Sequence, residues 1–155
     1  YDLDGDVDVY LANDFGPNTL LRNEGGLHFT DVTESSGVTD FGFGMGVSWG
    51  DYDDDGLPDL YISNMYSRAG HRVLGAIEDP DPQMVKAARG NTLLRNTGEG
   101  FEQVSGAEPP SLLVERAGWA WGAQFGDIDN DGLEDLYVLS GYYSAPPEAA
   151  LDWDT

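Results

Sequence analysis

"WGDYDDDGLPDLY", Trp49 to Tyr61, crowds five aspartates into the nine residues from Asp51 to Asp59 and then runs into an apolar, aromatic stretch. Adjacent carboxylates repel, so crowding of this kind at the mouth of a strand means either a solvated turn or a place for a cation. With Asp51 as position 1, aspartates stand at positions 1, 3, 5 and 9, and glycine stands at position 6. Short carboxylates at alternate positions converge when the backbone wraps about a centre, and glycine permits the positive φ of the wrap. Position 7, Leu57, turns its side chain away and offers its carbonyl. Such hard oxygen donors suit Ca²⁺, with its 6–8 ligands at about 2.3–2.6 Å, better than Mg²⁺, which keeps its waters.

The stretch is one of three. "DIDNDGLEDLYVLS" (Asp127–Ser140) repeats it in full, with Asp127, Asp129, Asp131, the Leu133 carbonyl and Asp135 as expected ligands. "YDLDGDVDVYLAN" (Tyr1–Asn13) repeats it from position 3 onward, with Asp2, Asp4, the Asp6 carbonyl and Asp8. Its position 1 falls before Tyr1, so two complete calcium sites are expected, and a third if the chain extends further back. An EF-hand also begins D-x-D-x-D-G, but it requires Glu at position 12 and flanking helices. Position 12 here is Ile62 or Val138, and both flanks read as strands. Asp-Gly turns without metal are the plainer reading of a single loop; three copies in register, each leading into the same strand, favour the metal.

Other elements recur with the loop. "NTLLRN" occurs at Asn18–Asn23 and again at Asn91–Asn96, each followed by a glycine turn and then "LHFTDV" or "GFEQV". "GMGVSWGD" (Gly44–Asp51) and "WAWGAQFGD" (Trp119–Asp127) precede the second and third loops. One unit is therefore a Gly-rich strand, an acidic loop, a "DLY" strand, an "NTLLRN" strand and an "F-x-x-V" strand. Four short antiparallel strands per repeat are the pattern of β-propeller blades. The fold expected is all-β, within one segment over residues 1–155. A partial blade is assigned to 1–33, a full blade to 43–104, a partial blade to 117–140 and a tail to 141–155. About three blades, two of them partial, leave the ring incomplete.

Composition narrows the function. The 155 residues are 40% hydrophobic and 12% aromatic, enough for a core, while 21 glycines and 8 prolines favour short strands and turns over long helices. A net charge of -22 opposes binding to nucleic acid or to an anionic membrane. The three loops hold 14 of the 29 acidic residues, and three calcium ions would offset six units of charge. Without cysteine there is no disulfide, thiolate nucleophile or zinc–thiolate site. No apolar run reaches the roughly 20 residues of a membrane helix.

The combination "NTLLRN…F-x-D-V-T…G-x-G-V-x-W-G-D-Y-D-x-D-G-x-x-D-L-Y" resembles the FG-GAP/VCBS repeat family, in the subgroup found beside ASPIC/UnbV domains. The insertion and the tail "LSGYYSAPPE" are similar to that subgroup as well. The resemblance implies a calcium-binding propeller like those of integrin α-subunits, with calcium in the hairpin between the first two strands of a blade. It also implies an exported, periplasmic or cell-surface setting and roles in adhesion, recognition or scaffolding.

Residues 65–90 interrupt the full blade and carry four of the seven basic residues, Arg68, Arg72, Lys86 and Arg89, beside His71. Asp81 as N-cap, Pro82 as first helical residue and Gly90 past the end frame a short helix. A lid on the blade is expected here, with a partner-binding excursion as the alternative. Trp49, Trp119, Trp121 and Phe125 are expected in the core between blades, His28 at a structural or surface position, and Arg22 and Arg95 in a repeated salt bridge or backbone clasp.

The function expected is a calcium-stabilised extracellular binding or scaffold module for a protein or glycan ligand, with no catalysis of its own. The acidic residues are repeated and committed to metal, whereas an enzyme converges non-repeated groups. The alternatives are a self-assembling surface protein and a non-catalytic part of a polysaccharide-acting enzyme. Further blades of the same chain or self-association would supply the missing neighbours.

Overall fold

The computed structural model describes residues 1–66 and 68–141. Within them the chain is all-β, with antiparallel sheets and two short helices. Strand β1 spans Val9–Leu11, β2 Asp14–Pro17, β3 Thr19–Asn23, β4 Phe29–Asp31, β5 Phe41–Gly50 and β6 Asp59–Asn64. Helices α1 (Arg68–Gly75) and α2 (Pro82–Ala87) come next, then β7 (Thr92–Asn96), β8 (Phe101–Gln103), β9 (Ala120–Gly126) and β10 (Asp135–Ser140). The tail beyond Gly141 lies outside the described residues.

The repeats in the sequence become repeats in pairing. β5, β6, β7 and β8 form an antiparallel meander with Trp49 opposite Leu60, Leu60 opposite Leu94, and Asn96 opposite Phe101. β1, β3 and β4 copy its last three strands, with Val9 opposite Leu21 and Asn23 opposite Phe29. β9 and β10 copy its first two, with Gly126 opposite Asp135. Strand β2 is an addition: "DFGP" pairs with the start of β5 and makes that sheet five-stranded.

Adjacent sheets bury the faces they turn toward one another. On β6, Leu60 and Ile62 enter a cluster with Tyr10, Leu20, Val38 and Phe101, between the three- and five-stranded sheets. Tyr61 points to the opposite face, as alternate strand residues must. There it joins Leu93 and Phe125, with Leu136 and Val138 of the two-stranded sheet packed on them. Trp49 packs on the first cluster, edge-on to Tyr10 at 6.5 Å between ring centroids. Burying side chains of this size stabilises by about 1.5–3 kcal/mol each.

The glycines of β5 serve this packing. A Cβ at Gly50 would lie 2.3 Å from Phe125 Cγ, and one at Gly46 would lie 3.2 Å from Gly122 Cα. Only glycine lets β5 and β9 approach so closely.

The last sheet has a bare face. Tyr61 is fully buried, while its counterpart Tyr137 is 55% exposed, and Leu139 is exposed beside it. Trp121, expected in the core, lies on that outer face and is 53% exposed. It alternates with the buried Ala120 on β9, and among the described residues no sheet covers it.

The insertion holds two helices. α2 begins as its cap residues dictate: the Asp81 carboxylate accepts the Gln83 N–H at 2.8 Å, and Pro82 fills the first turn. Lys86 donates to the Thr39 carbonyl at 3.0 Å, which ties the helix to the segment entering β5. α1 has no acidic residue in its first turn.

Candidate metal centre

Each acidic loop is built first by its own backbone. Position 6 takes a positive φ in all three, at Gly5, Gly56 and Gly132. So does position 4, at Leu3 (φ 61°), Asp54 (57°) and Asn130 (63°). Left-handed residues at these two places bend the chain around its carboxylates, and Asp and Asn tolerate that conformation better than most.

Side-chain acceptors then fix the bend. In the second loop, Asp51 accepts the Asp55 N–H at 3.0 Å and the Gly56 N–H at 2.9 Å, and Asp55 accepts the Leu57 N–H at 2.9 Å. In the third, Asp127 accepts from Asp131 and Gly132, both at 3.0 Å, and Asp131 accepts from Leu133 at 2.9 Å. The first keeps the later part, with Asp4 accepting the Asp6 N–H at 2.8 Å.

Position 9 has a further task. Asp59 is fully buried; one oxygen accepts the Tyr52 N–H at 3.1 Å and the other the Asn96 N–H at 2.8 Å. Asp8 likewise accepts the Asn23 N–H at 2.9 Å, and Asp135 accepts the Ile128 N–H at 3.0 Å. This aspartate closes each loop, and in the first and second loops it also clamps the loop to the "NTLLRN" strand. Burial pushes the Asp59 carboxyl up to about 6; the two N–H donors oppose that rise, and the charges of Asp53 and Asp55 add to it.

The asparagines of "NTLLRN" complete the clamp. Asn96 donates to the carbonyls of Pro58 (3.2 Å) and Tyr1 (3.0 Å) and accepts the Gly98 N–H at 3.0 Å. Asn23 does the same for Val7 and Gly25. The leading asparagines close the other end of the strand: Asn18 accepts the Asn13 N–H at 2.7 Å, and Asn91 accepts the Asn64 N–H at 2.8 Å. Buried Asp40 gathers Asn18, Asn64 and Thr92 around it, each donating at 3.2 Å. None of these roles follows from the aspartate spacing, although the exact return of both asparagines was a visible signal.

Neighbouring loops also touch. The Asp51 N–H donates to Glu134 of the third loop at 2.7 Å, and the Asn96 bond to Tyr1 joins the second loop's clamp to the first loop.

Two groups of carboxylates can hold a metal ion: Asp51, Asp53 and Asp55, and Asp127, Asp129 and Asp135. Within each group, one oxygen per residue lies within 4.8 Å of the others. Asp59 stands outside the first group, engaged by backbone N–H donors, and Asp131 outside the second. Asp2, Asp4, Asp6 and Asp8 form no such group among the described residues. The donors are all hard carboxylate oxygens on exposed loops, which fits a hard divalent cation and not one preferring sulfur or nitrogen ligands.

The paired arginines diverge. Arg22 pairs with Glu24, while Arg95 reaches across to Asp53 and Asp55. His28 is exposed on the surface.

Antiparallel sheets of one build, each entered through an acidic loop, define a β-repeat protein with candidate metal-binding hairpins. The chain belongs to the FG-GAP-like repeat family, whose family model matches residues 1–62 and 79–138. Over 58 residues it is 38% identical to Cartilage acidic protein 1 of Xenopus tropicalis, and equally to that of Mus musculus. Each match covers 37% of this chain and 9% of the relative's length.

Proposed function

We propose that this chain is a calcium-stabilised, extracellular binding or scaffold segment with no catalysis of its own. The observation that carries this reading is the recurrence of one loop geometry, left-handed at positions 4 and 6, with carboxylates gathered in the second and third copies. Asp51, Asp53 and Asp55, and Asp127, Asp129 and Asp135, would hold the ions, with further oxygens from the rest of each loop. A bound ion would neutralise carboxylates that otherwise repel, and would pin the hairpin between the first two strands of a sheet. Membership of a repeat family and similarity to a protein named for cartilage and acidity support an extracellular setting. Among the described residues, no helix is long and apolar enough to cross a membrane.

The bare face of β9 and β10 favours a second element of the reading. Tyr61 on the equivalent face is covered by a neighbouring sheet, so the partner that fits Tyr137, Trp121 and Leu139 is another blade of the same build. That blade would come from further chain or from a second copy, leaving the acidic surface for a protein or glycan ligand.

Metal held by the folded form alone stabilises it by roughly 2.7 kcal/mol per site at 100-fold saturation. The melting temperature in millimolar calcium should exceed that in excess EGTA by several degrees. Identical melts would end the calcium reading. Size-exclusion chromatography of the same samples tests the partner: a calcium-dependent larger species supports association of copies, and a monomer at all concentrations removes it.

A further inference from the structure

The second loop is met by a cation from the third strand of its own repeat. Arg95, on β7, places Nε 2.8 Å from Asp53 Oδ2 and Nη2 3.6 Å from Asp55 Oδ2, while Nη1 lies 3.5 Å from Glu102. Asp53 and Asp55 are two of the three carboxylates gathered there for a cation.

The matching arginine of the first copy is held elsewhere. Arg22 donates through Nε and Nη2 to Glu24 Oε1, at 2.9 and 2.6 Å. One residue decides the difference: Glu24 follows Asn23, whereas Thr97 follows Asn96. The Thr97 hydroxyl donates to the Gly100 carbonyl and offers no charge, so Arg95 extends to the loop instead.

We propose that Arg95 is a built-in competitor for the metal at the Asp51–Asp59 loop. It neutralises Asp53 and Asp55 when the loop is empty and is displaced when calcium enters, which lowers this loop's affinity for the ion. The inference rests on the calcium reading above. A guanidinium and a divalent ion seek the same oxygens and repel each other at this range. Arg95 is 38% exposed, and ion pairs so exposed are weak enough to break. Glu102, already beside Nη1, is where the displaced guanidinium settles. The metal-free second loop would then not be driven open by its own charge.

The test is a calorimetric calcium titration of the metal-stripped full chain, wild type against Arg95→Gln, with melts in EGTA and in calcium. Terbium luminescence gives a second measure at this loop, which holds Tyr52 where the third holds Ile128. Arg95→Gln should tighten binding at the second loop roughly two- to fivefold. It should also lower the melting temperature in EGTA while enlarging the rise on adding calcium. Arg95→Lys, which keeps the charge but not the planar fork, should bind calcium between the two. Unchanged or weaker binding in Arg95→Gln, with both melts lowered alike, would overturn the proposal and make Arg95 a structural brace. Absence of calcium binding in the wild type would remove the calcium reading itself. Binding in the wild type that the variant leaves unaltered removes only the competitor.

Discussion

The backbone N–H of Asn96 donates to the buried carboxylate of Asp59 at 2.8 Å, across the gap between the "NTLLRN" strand and the acidic loop. The Asn96 side chain reinforces the same junction through Pro58, Tyr1 and Gly98. Loop and strand are thereby one unit: the cage cannot open without loosening the third strand of its sheet.

Asn96→Ala leaves two carbonyls and one N–H without their protein partner. The expected cost is about 2–3 kcal/mol, because stranded polar groups lose more than the average hydrogen bond contributes. Urea denaturation of the two proteins side by side measures it. A change within experimental error would mean that water replaces the side chain at no cost.

Asp54 is no ligand in the aspartate pattern, yet its φ of 57° makes it a hinge of the loop. Asp54→Val puts a β-branched residue into a left-handed conformation and should cost about 1–3 kcal/mol, with weaker calcium binding. Asp54→Asn, which accepts that conformation, should leave both unchanged. Equal effects from the two substitutions would show that the charge matters and the backbone does not.

Tyr61 and Tyr137 occupy the same place in "DLY" but not the same surroundings. Tyr61→Ala should cost about 3–5 kcal/mol, as for other large buried aromatics. Its hydroxyl bond to the Val114 carbonyl, at 3.0 Å, is lost with the ring. Tyr137→Ala should change the stability of the isolated chain by less than about 1 kcal/mol. It should weaken any association through the β10 face, which sedimentation would register.

The Asp59 carboxyl titrates above its ordinary value, at about 6 against 3.8, because burial penalises its charge. A carboxyl raised in this way favours the folded state below pH 3.8, and that contribution is lost as pH climbs through about 6. In metal-stripped protein, the wild type should therefore lose melting temperature relative to Asp59→Asn between those two pH values. A flat difference across the range would show that Asp59 is not the group responsible.

The all-β fold was legible because a four-strand unit recurs with its turns in register, so period and spacing carried more than any single propensity. The α2 helix was legible from Asp81 and Pro82, which act locally. Strand β2 was not: "DFGP" holds glycine and proline, and it pairs only because Phe41–Phe43 arrives alongside it. α1 has no acidic residue in its first turn to announce it, and Trp121 looked like core because its partner sheet could not be counted from its own strand. In the acidic loops the residue types and spacing were readable, whereas the second role of Asp59 was not. That role depends on Asn96, thirty-seven residues away, bringing a backbone donor to its carboxylate.

The bonds from Asp51 to Glu134 and from Asn96 to Tyr1 each span one boundary between adjacent units. A design in which every unit grips only the unit beside it is indifferent to how many units there are. Duplicating or deleting a whole repeat preserves each grip. Copy number can thus change without the loss of any grip between the units that remain.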